Sequence, residues 1–162
     1  MSDKITPVLW FDHNGEEAAN FYVSLLPDSR IDRVTRSPAD YPSGSAGDVI
    51  TVDFTLAGRR YQALNGGPQF PFTEAVSFMI HCEDQAEVDR LWDALVEGGG
   101  EPVQCGWLKD RFGLRWQVCP EEMLTMLASD DREAARRAFQ AMMGMVKLDL
   151  PTLRKAFNDK AA

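Results

Sequence analysis

Histidine and cysteine are scarce here: 162 residues hold two of the one and three of the other. Cys82, Cys105 and Cys119 are odd in number, at spacings that suit neither a disulfide framework nor a zinc knuckle, so reduced thiols are expected. Basic residues are outnumbered 17 to 25 by acidic ones, giving a formal charge of -8 and a pI near 4.7. That balance leaves no basic face for phosphates and argues against nucleic acid as a partner. Apolar runs are too short for a bilayer, and the start lacks the basic and apolar stretches of a secretory leader. No membrane is implied, and a cytoplasmic location is expected. A glycine-rich turn between strand and helix is also missing. Gly98, Gly99 and Gly100 follow a helical pattern, where glycine acts as a stop, instead of preceding one as a nucleotide loop does.

What is present is a repeat. Residues 7–26 and 77–96 superimpose at a constant offset of seventy positions. In the first copy Val8 to Phe11 leads through Asn14 to a stripe of Ala18, Phe21, Tyr22 and Leu25. In the second, Phe78 to Ile80 leads through Asp84 to Val88, Leu91, Trp92 and Leu95. Each stripe has the i, i+3, i+4, i+7 spacing of a helix with one buried face. Neither copy can bury that face alone, so two equivalent modules sharing a sheet are expected within a single domain of 1–162.

In order along the chain, a strand near Ile5 to Phe11 precedes a helix near Gly15 to Leu26, which Pro27 ends. A polar strand near Arg30 to Arg36 leads into a loop, Ser37 to Gly47. From Val49 to Leu56 the pattern alternates, with Ile50, Val52, Phe54 and Leu56 on one face and Thr51, Asp53 and Thr55 on the other. Ala57 and Gly58 turn this strand into a second, Arg60 to Asn65, as a hairpin. After a linker from Gly66, the second module opens at Ala75, and strands near Glu101 to Gln104 and Leu114 to Cys119 flank Gly106 to Gly113. Pro120 starts a helix with Met123, Leu124 and Leu127. Asp130 or Asp131 caps another with Ala135, Ala138, Phe139, Met142 and Met143 on its apolar side, and Asp149 and Pro151 open a last one with Leu153 and Phe157. The modules thus run about 5–67 and 75–128, with a helical extension at 129–162. The extension either caps the sheet or packs on a second subunit through Met142, Met143, Met145 and Val146.

A strand, helix and three strands used twice, with Asn14-Gly15-Glu16-Glu17-Ala18-Ala19-Asn20-Phe21-Tyr22 after the first strand, resembles the vicinal oxygen chelate superfamily of glyoxalases, extradiol dioxygenases and antibiotic-resistance proteins. The closer likeness is to its PhnB-like branch, often labelled 3-demethylubiquinone-9 3-methyltransferase. It is carried by Thr6-Pro7, Trp10-Phe11, the run Ala63 to Pro68, Cys105-Gly106-Trp107, Asp110 to Gly113, Trp116-Gln117 and Pro120. The resemblance implies an α+β fold, two βαβββ modules forming an incomplete barrel around a cavity, plus C-terminal helices. It also implies metal-ligand places at Pro7, Ser77, Gln117 and a position near Asn65. None of these is a carboxylate or an imidazole, so no metal and no cofactor is expected there.

If those places face the cavity, alternation puts Leu9 and Phe11, Met79 and His81, and Arg115 and Cys119 beside them. Trp10, Phe78, Ile80, Cys82, Trp116 and Val118 would then pack under the helices. Thr51, Asp53 and Thr55 would join Tyr61 and Asn65 inside. Such a polar face is costly for packing alone and favours a ligand. The candidate ligand-binding residues are therefore Asp53, Tyr61, Asn65, Ser77, His81, Trp107, Asp110, Arg115 and Gln117. His81 could move a proton near neutrality or simply be solvated at a strand end, and Asp53 could act as a base or pair with Arg115. Trp107 could stack on a planar ligand or plug the core, and Asp110 could line a cavity mouth or hold its own turn.

Three functions stay open: a metal-independent protein binding a small-molecule ligand, or a metal-independent enzyme of unassigned reaction, expected as a homodimer; a metal-dependent lyase, isomerase or dioxygenase using His81, Asp53 and Glu83; and a non-catalytic dimer that sequesters a planar compound. Methyl transfer finds no support, because a nucleoside donor needs the missing glycine-rich turn and an acidic residue to hold its ribose.

Overall fold

The computed structural model describes residues 4–159. The chain divides into two compact units, Met1–Phe72 and Thr73–Ala162. The first contains β1 (Val8–Phe11), α1 (Gly15–Leu25), β2 (Arg30–Arg36), β3 (Val49–Leu56) and β4 (Arg59–Asn65), a four-stranded sheet in the order β1-β4-β3-β2. The second contains β5 (Phe78–Cys82), α2 (Gln85–Val96), β6 (Glu101–Pro102), β7 (Trp107–Lys109) and β8 (Arg115–Pro120), in the order β5-β8-β7-β6. In each, the first strand runs parallel to the last and the remaining pairs are antiparallel. The fold is therefore α+β and built from two βαβββ modules, as expected, but each module has its own sheet. The strand expected over 101–104 stops at Pro102, and β7 lies inside the segment expected as a connection.

Local chemistry explains the boundaries. The Asp84 side chain accepts from the Glu87 backbone N–H at 2.9 Å while the Glu87 carboxylate accepts from the Glu83 N–H at 2.8 Å, a reciprocal cap that starts α2. Gly98, with φ of 76°, ends it. Ala57 and Gly58 both have positive φ, and this two-residue turn sets Leu56 opposite Arg59.

The two modules differ by one residue in the turn from first strand to helix. Three residues, 12–14, separate β1 from α1, but only two, 83–84, separate β5 from α2. His13 takes up the extra residue in the left-handed region, at φ 67°. The helices keep the offset of seventy: Ala18, Tyr22 and Leu25 are buried, as are Val88, Trp92 and Leu95. The strands do not. Leu9 and Phe11 are buried in β1, and Ile80 and Cys82 in β5, an offset of seventy-one. Because side chains alternate, one residue exchanges the faces. The expectation that Leu9 and Phe11 lie opposite the helix and Trp10 beneath it is thereby reversed.

After β8 come α3 (Glu121–Leu127), α4 (Arg132–Met143) and α5 (Leu150–Asn158), the latter two capped by the Asp131 and Asp149 side chains. The extension's last residues, 160–162, lie outside the described ones. Met123, Met126, Ala138, Leu148, Leu150 and Leu153 bury against Cys119, with Met142, Met145 and Phe157 partly covered around them. The narrow face of α4 that packs is alanine, Ala134, Ala135 and Ala138. Phe139 and Met143, expected on that side, are half-exposed, as is Val146. No helix among the described residues is long and apolar enough to cross a membrane.

Candidate functional site

Each sheet has one face under its helix and one face turned away from it. In the second unit the register places Gln117 opposite both Met79 and Trp107, Arg115 opposite Lys109, and Cys119 opposite His81. Ile80, Cys82, Trp116 and Val118 are buried on the other face. The away face thus carries Ser77, His81, Trp107, Arg115 and Gln117 together, as alternation predicts. The Gln117 side-chain amide donates to Ser77 Oγ at 2.9 Å. Arg115 pairs with Glu74, not with Asp53. His81 is exposed, while Cys119 is buried by the C-terminal helices.

Asp110 does not lie on that face. It is 1% exposed, and its Oδ1 accepts from the Phe112 and Leu114 N–H groups at 2.9 and 3.0 Å while Oδ2 accepts from Trp116 Nε1 at 2.8 Å. Its carboxylate folds the turn between β7 and β8 and anchors a core tryptophan.

In the first unit Asp53 pairs in register with Gln62 and Arg33, and Phe54 with Tyr61. Thr51, Asp53 and Thr55 share the away face as expected, but with Gln62 in place of Tyr61 and Asn65. Tyr61 stacks on Phe54 at 5.5 Å, on the helix side. Asn65 is buried there: Oδ1 accepts from Gly15 N at 2.9 Å and Nδ2 donates to Val49 O at 2.9 Å. A Cβ on Gly15 would lie 2.7 Å from that Oδ1, so the glycine admits the contact. Both ends of the Asn65 amide are thus used, one holding the start of α1 and the other the start of β3. Asp53 is engaged too, with Oδ1 accepting from Gln62 at 2.7 Å and Oδ2 from two Arg33 nitrogens at 3.0 and 2.8 Å. Beside it, Asp32 accepts from Arg30 at 2.8 Å and from Thr55 Oγ1 at 2.7 Å. A cleft of about 450 Å³ opens here, lined by Thr6, Arg30, Arg33, Asp53, Arg60 and Tyr61 among others.

The register shifts the places that the resemblance implies for a metal. Gln62 lies opposite Val8 as Gln117 lies opposite Met79, and Val8 corresponds to Met79 at the strand offset of seventy-one. The equivalent of Ser77 is therefore Thr6, not Pro7, and the equivalent of Gln117 is Gln62, not Asn65. All four are neutral hydroxyls or amides, weak donors for zinc, nickel or iron, so these residues do not fit such a metal. Among the described residues no three His, Cys, Asp or Glu side chains come together as a metal set. The two buried thiols are poorly suited to act as nucleophiles: burial pushes Cys82 up to about 12 and Cys119 to about 11, which favours the protonated form of both.

Sequence reasoning missed Gln62, Arg33, Glu74 and Lys109. The signal for Gln62 was available, because a two-residue turn after Leu56 pairs residue 53 with 62. Glu74 and Lys109 sit in segments whose structure the pattern left open.

The family model described as 3-demethylubiquinone-9 3-methyltransferase matches residues 3–119. A Bacillus cereus protein, provisionally described as a 3-demethylubiquinone-9 3-methyltransferase and PhnB protein, is 33% identical, over 73% of this chain and 99% of its own, with a TM-score of 0.66. A Pseudomonas aeruginosa protein is 25% identical over 74% of this chain and 98% of its own, with a TM-score of 0.61. No curated protein matches the chain.

Proposed function

The chain belongs to the PhnB-like family described as 3-demethylubiquinone-9 3-methyltransferase, within the vicinal oxygen chelate superfamily, and on that premise we propose that it binds a small organic molecule without a metal at the superfamily's strand positions. The observation that carries this reading is the donor set: Thr6 and Gln62 in one unit, Ser77 and Gln117 in the other. Neutral oxygens and amides at these places recognise a ligand by hydrogen bonds, whereas a catalytic metal of this kind needs imidazole or carboxylate. Polar faces turned away from both helices support it further, since polar groups placed on a sheet face are favoured where something hydrogen-bonds to them.

Methyl transfer stays outside the reading. The strand-to-helix turns are Asp12-His13-Asn14 and Glu83-Asp84, without the close-approach glycines that a nucleoside donor requires. The reading includes a homodimer and a cytoplasmic location, the latter supported by three free thiols. Native mass spectrometry of protein purified without chelator or affinity metal tests it. A metal-free dimer, with or without a small organic adduct, is the expected spectrum. Stoichiometric zinc, nickel or iron would overturn it.

A further inference from the structure

Two cations sit side by side on the away face of the second sheet. Lys109 and Arg115 are direct cross-strand partners, an arrangement that destabilises a sheet unless anions offset it. Each has one: Lys109 Nζ meets Glu101 Oε1 at 2.5 Å, and Arg115 meets Glu74. The cations are the covered members of these pairs. Arg115 is 16% exposed and its glutamate 75%, while Lys109 is 26% exposed and its glutamate 65%. Arg115 Nε is fully buried and donates to nothing among the described residues. A guanidinium has five N–H donors, and leaving one buried and unmet costs stability. An exposed ion pair to a solvated glutamate contributes little in return.

The geometry points to a carboxylate-bearing planar ligand at this place, its carboxylate taking the position on Arg115 that Glu74 holds as a stand-in from the same chain. This deepens the small-molecule reading above and rests on it. A free carboxylate can present both oxygens to the guanidinium, the geometry in which such pairs are strongest. One row along, Trp107 and Met79 flank Gln117 in register, an indole and a thioether on which an aromatic ring packs. The Gln117 amide between them discriminates polar substituents. Glu74 then competes with the ligand, which keeps Arg115 neutralised when the ligand is absent.

The test titrates 2-naphthoate and its neutral isostere 2-naphthamide into the full chain, following the indole N–H resonance of Trp107. Naphthoate is expected to bind about tenfold tighter than the amide, and Arg115→Gln to erase that preference. Glu74→Gln is expected to tighten naphthoate binding about threefold by removing the competitor. Glu74 is exposed, so this variant keeps the test valid should Arg115→Gln fail to fold. Equal binding of acid and amide overturns the inference while leaving the small-molecule reading intact. So does an unchanged or weaker affinity in Glu74→Gln, or binding that leaves the Trp107 signal in place. Binding of neither probe overturns it too, and the wider reading is then judged separately by the metal content of the native mass spectrum.

Discussion

Asp110 shows how a polar residue in a promising loop can be consumed by its own turn. It holds three donors from a buried position, so Asp110→Ala leaves two backbone N–H groups and the Trp116 indole unmet. The expected loss is about 3 kcal/mol of stability, read as a lowered urea midpoint. Asp110→Asn, which still accepts, should lose less. His13 carries a different consequence. Its Nδ1 faces Asp12 Oδ1 at 2.6 Å and its Nε2 faces the Ser43 carbonyl, two acceptors that only the doubly protonated ring satisfies. The hydrogen bond to Ser43, then that to Asp12, raises its pKa above 6.5. Stability from a raised histidine is complete below the unfolded value and lost as pH rises through the folded one. Amides of the Ser37 to Gly47 loop should therefore be better protected from exchange at about pH 5.5 than at about pH 8.5, after correction for intrinsic rates. His13→Asn should abolish the difference, and an unchanged difference would show that the contact does not hold the loop.

At the scale of elements, the longer turn before α1 is the decisive detail. Deleting His13 would equalise the two turns and drive Leu9 and Phe11 to the other side of β1, while His13→Gly keeps the length and relieves the left-handed φ. The glycine variant should retain cooperative unfolding, and the deletion should lose it, as followed by circular dichroism in urea. Much of the element order was legible because each strand and helix carries its own period. The stripe of Val88, Leu91, Trp92 and Leu95 announced α2, and the alternation of Val52, Phe54 and Leu56 announced β3. The faces of β5 and β8 could be read for the same reason. What could not be read was β1, because burial alternates identically whichever face is counted first and only turn length decides. Tyr61 and Asn65 were placed with Asp53 for want of the hairpin register. The brevity of β7, three residues between glycine-flanked turns, hid Lys109 and with it the cation beside Arg115.

For the molecule as a whole, the family match ends at residue 119, yet the second unit does not. Ala138, Leu148, Leu150 and Leu153 come from beyond that point and share a core with Cys119. Each buried leucine contributes about 1.5–3 kcal/mol, so a chain truncated after Ser129 loses an amount comparable to a domain's entire stability. It should show no cooperative thermal transition in the second unit, and a truncated chain melting like the full one would make the extension dispensable.

The extra residue at His13 also acts as a change of parity between the halves. Correspondence by simple counting holds for helices, where a one-residue slip turns a side chain by a fraction of a circle. It fails for the strands ahead of them, where the same slip inverts inside and outside. A ligand position carried from one half to the other must therefore be passed through its paired strand, from Gln117 to Met79 to Val8 to Gln62. Counted back by seventy, Met79 arrives instead at Leu9, whose strand partner Ala63 is buried beneath α1.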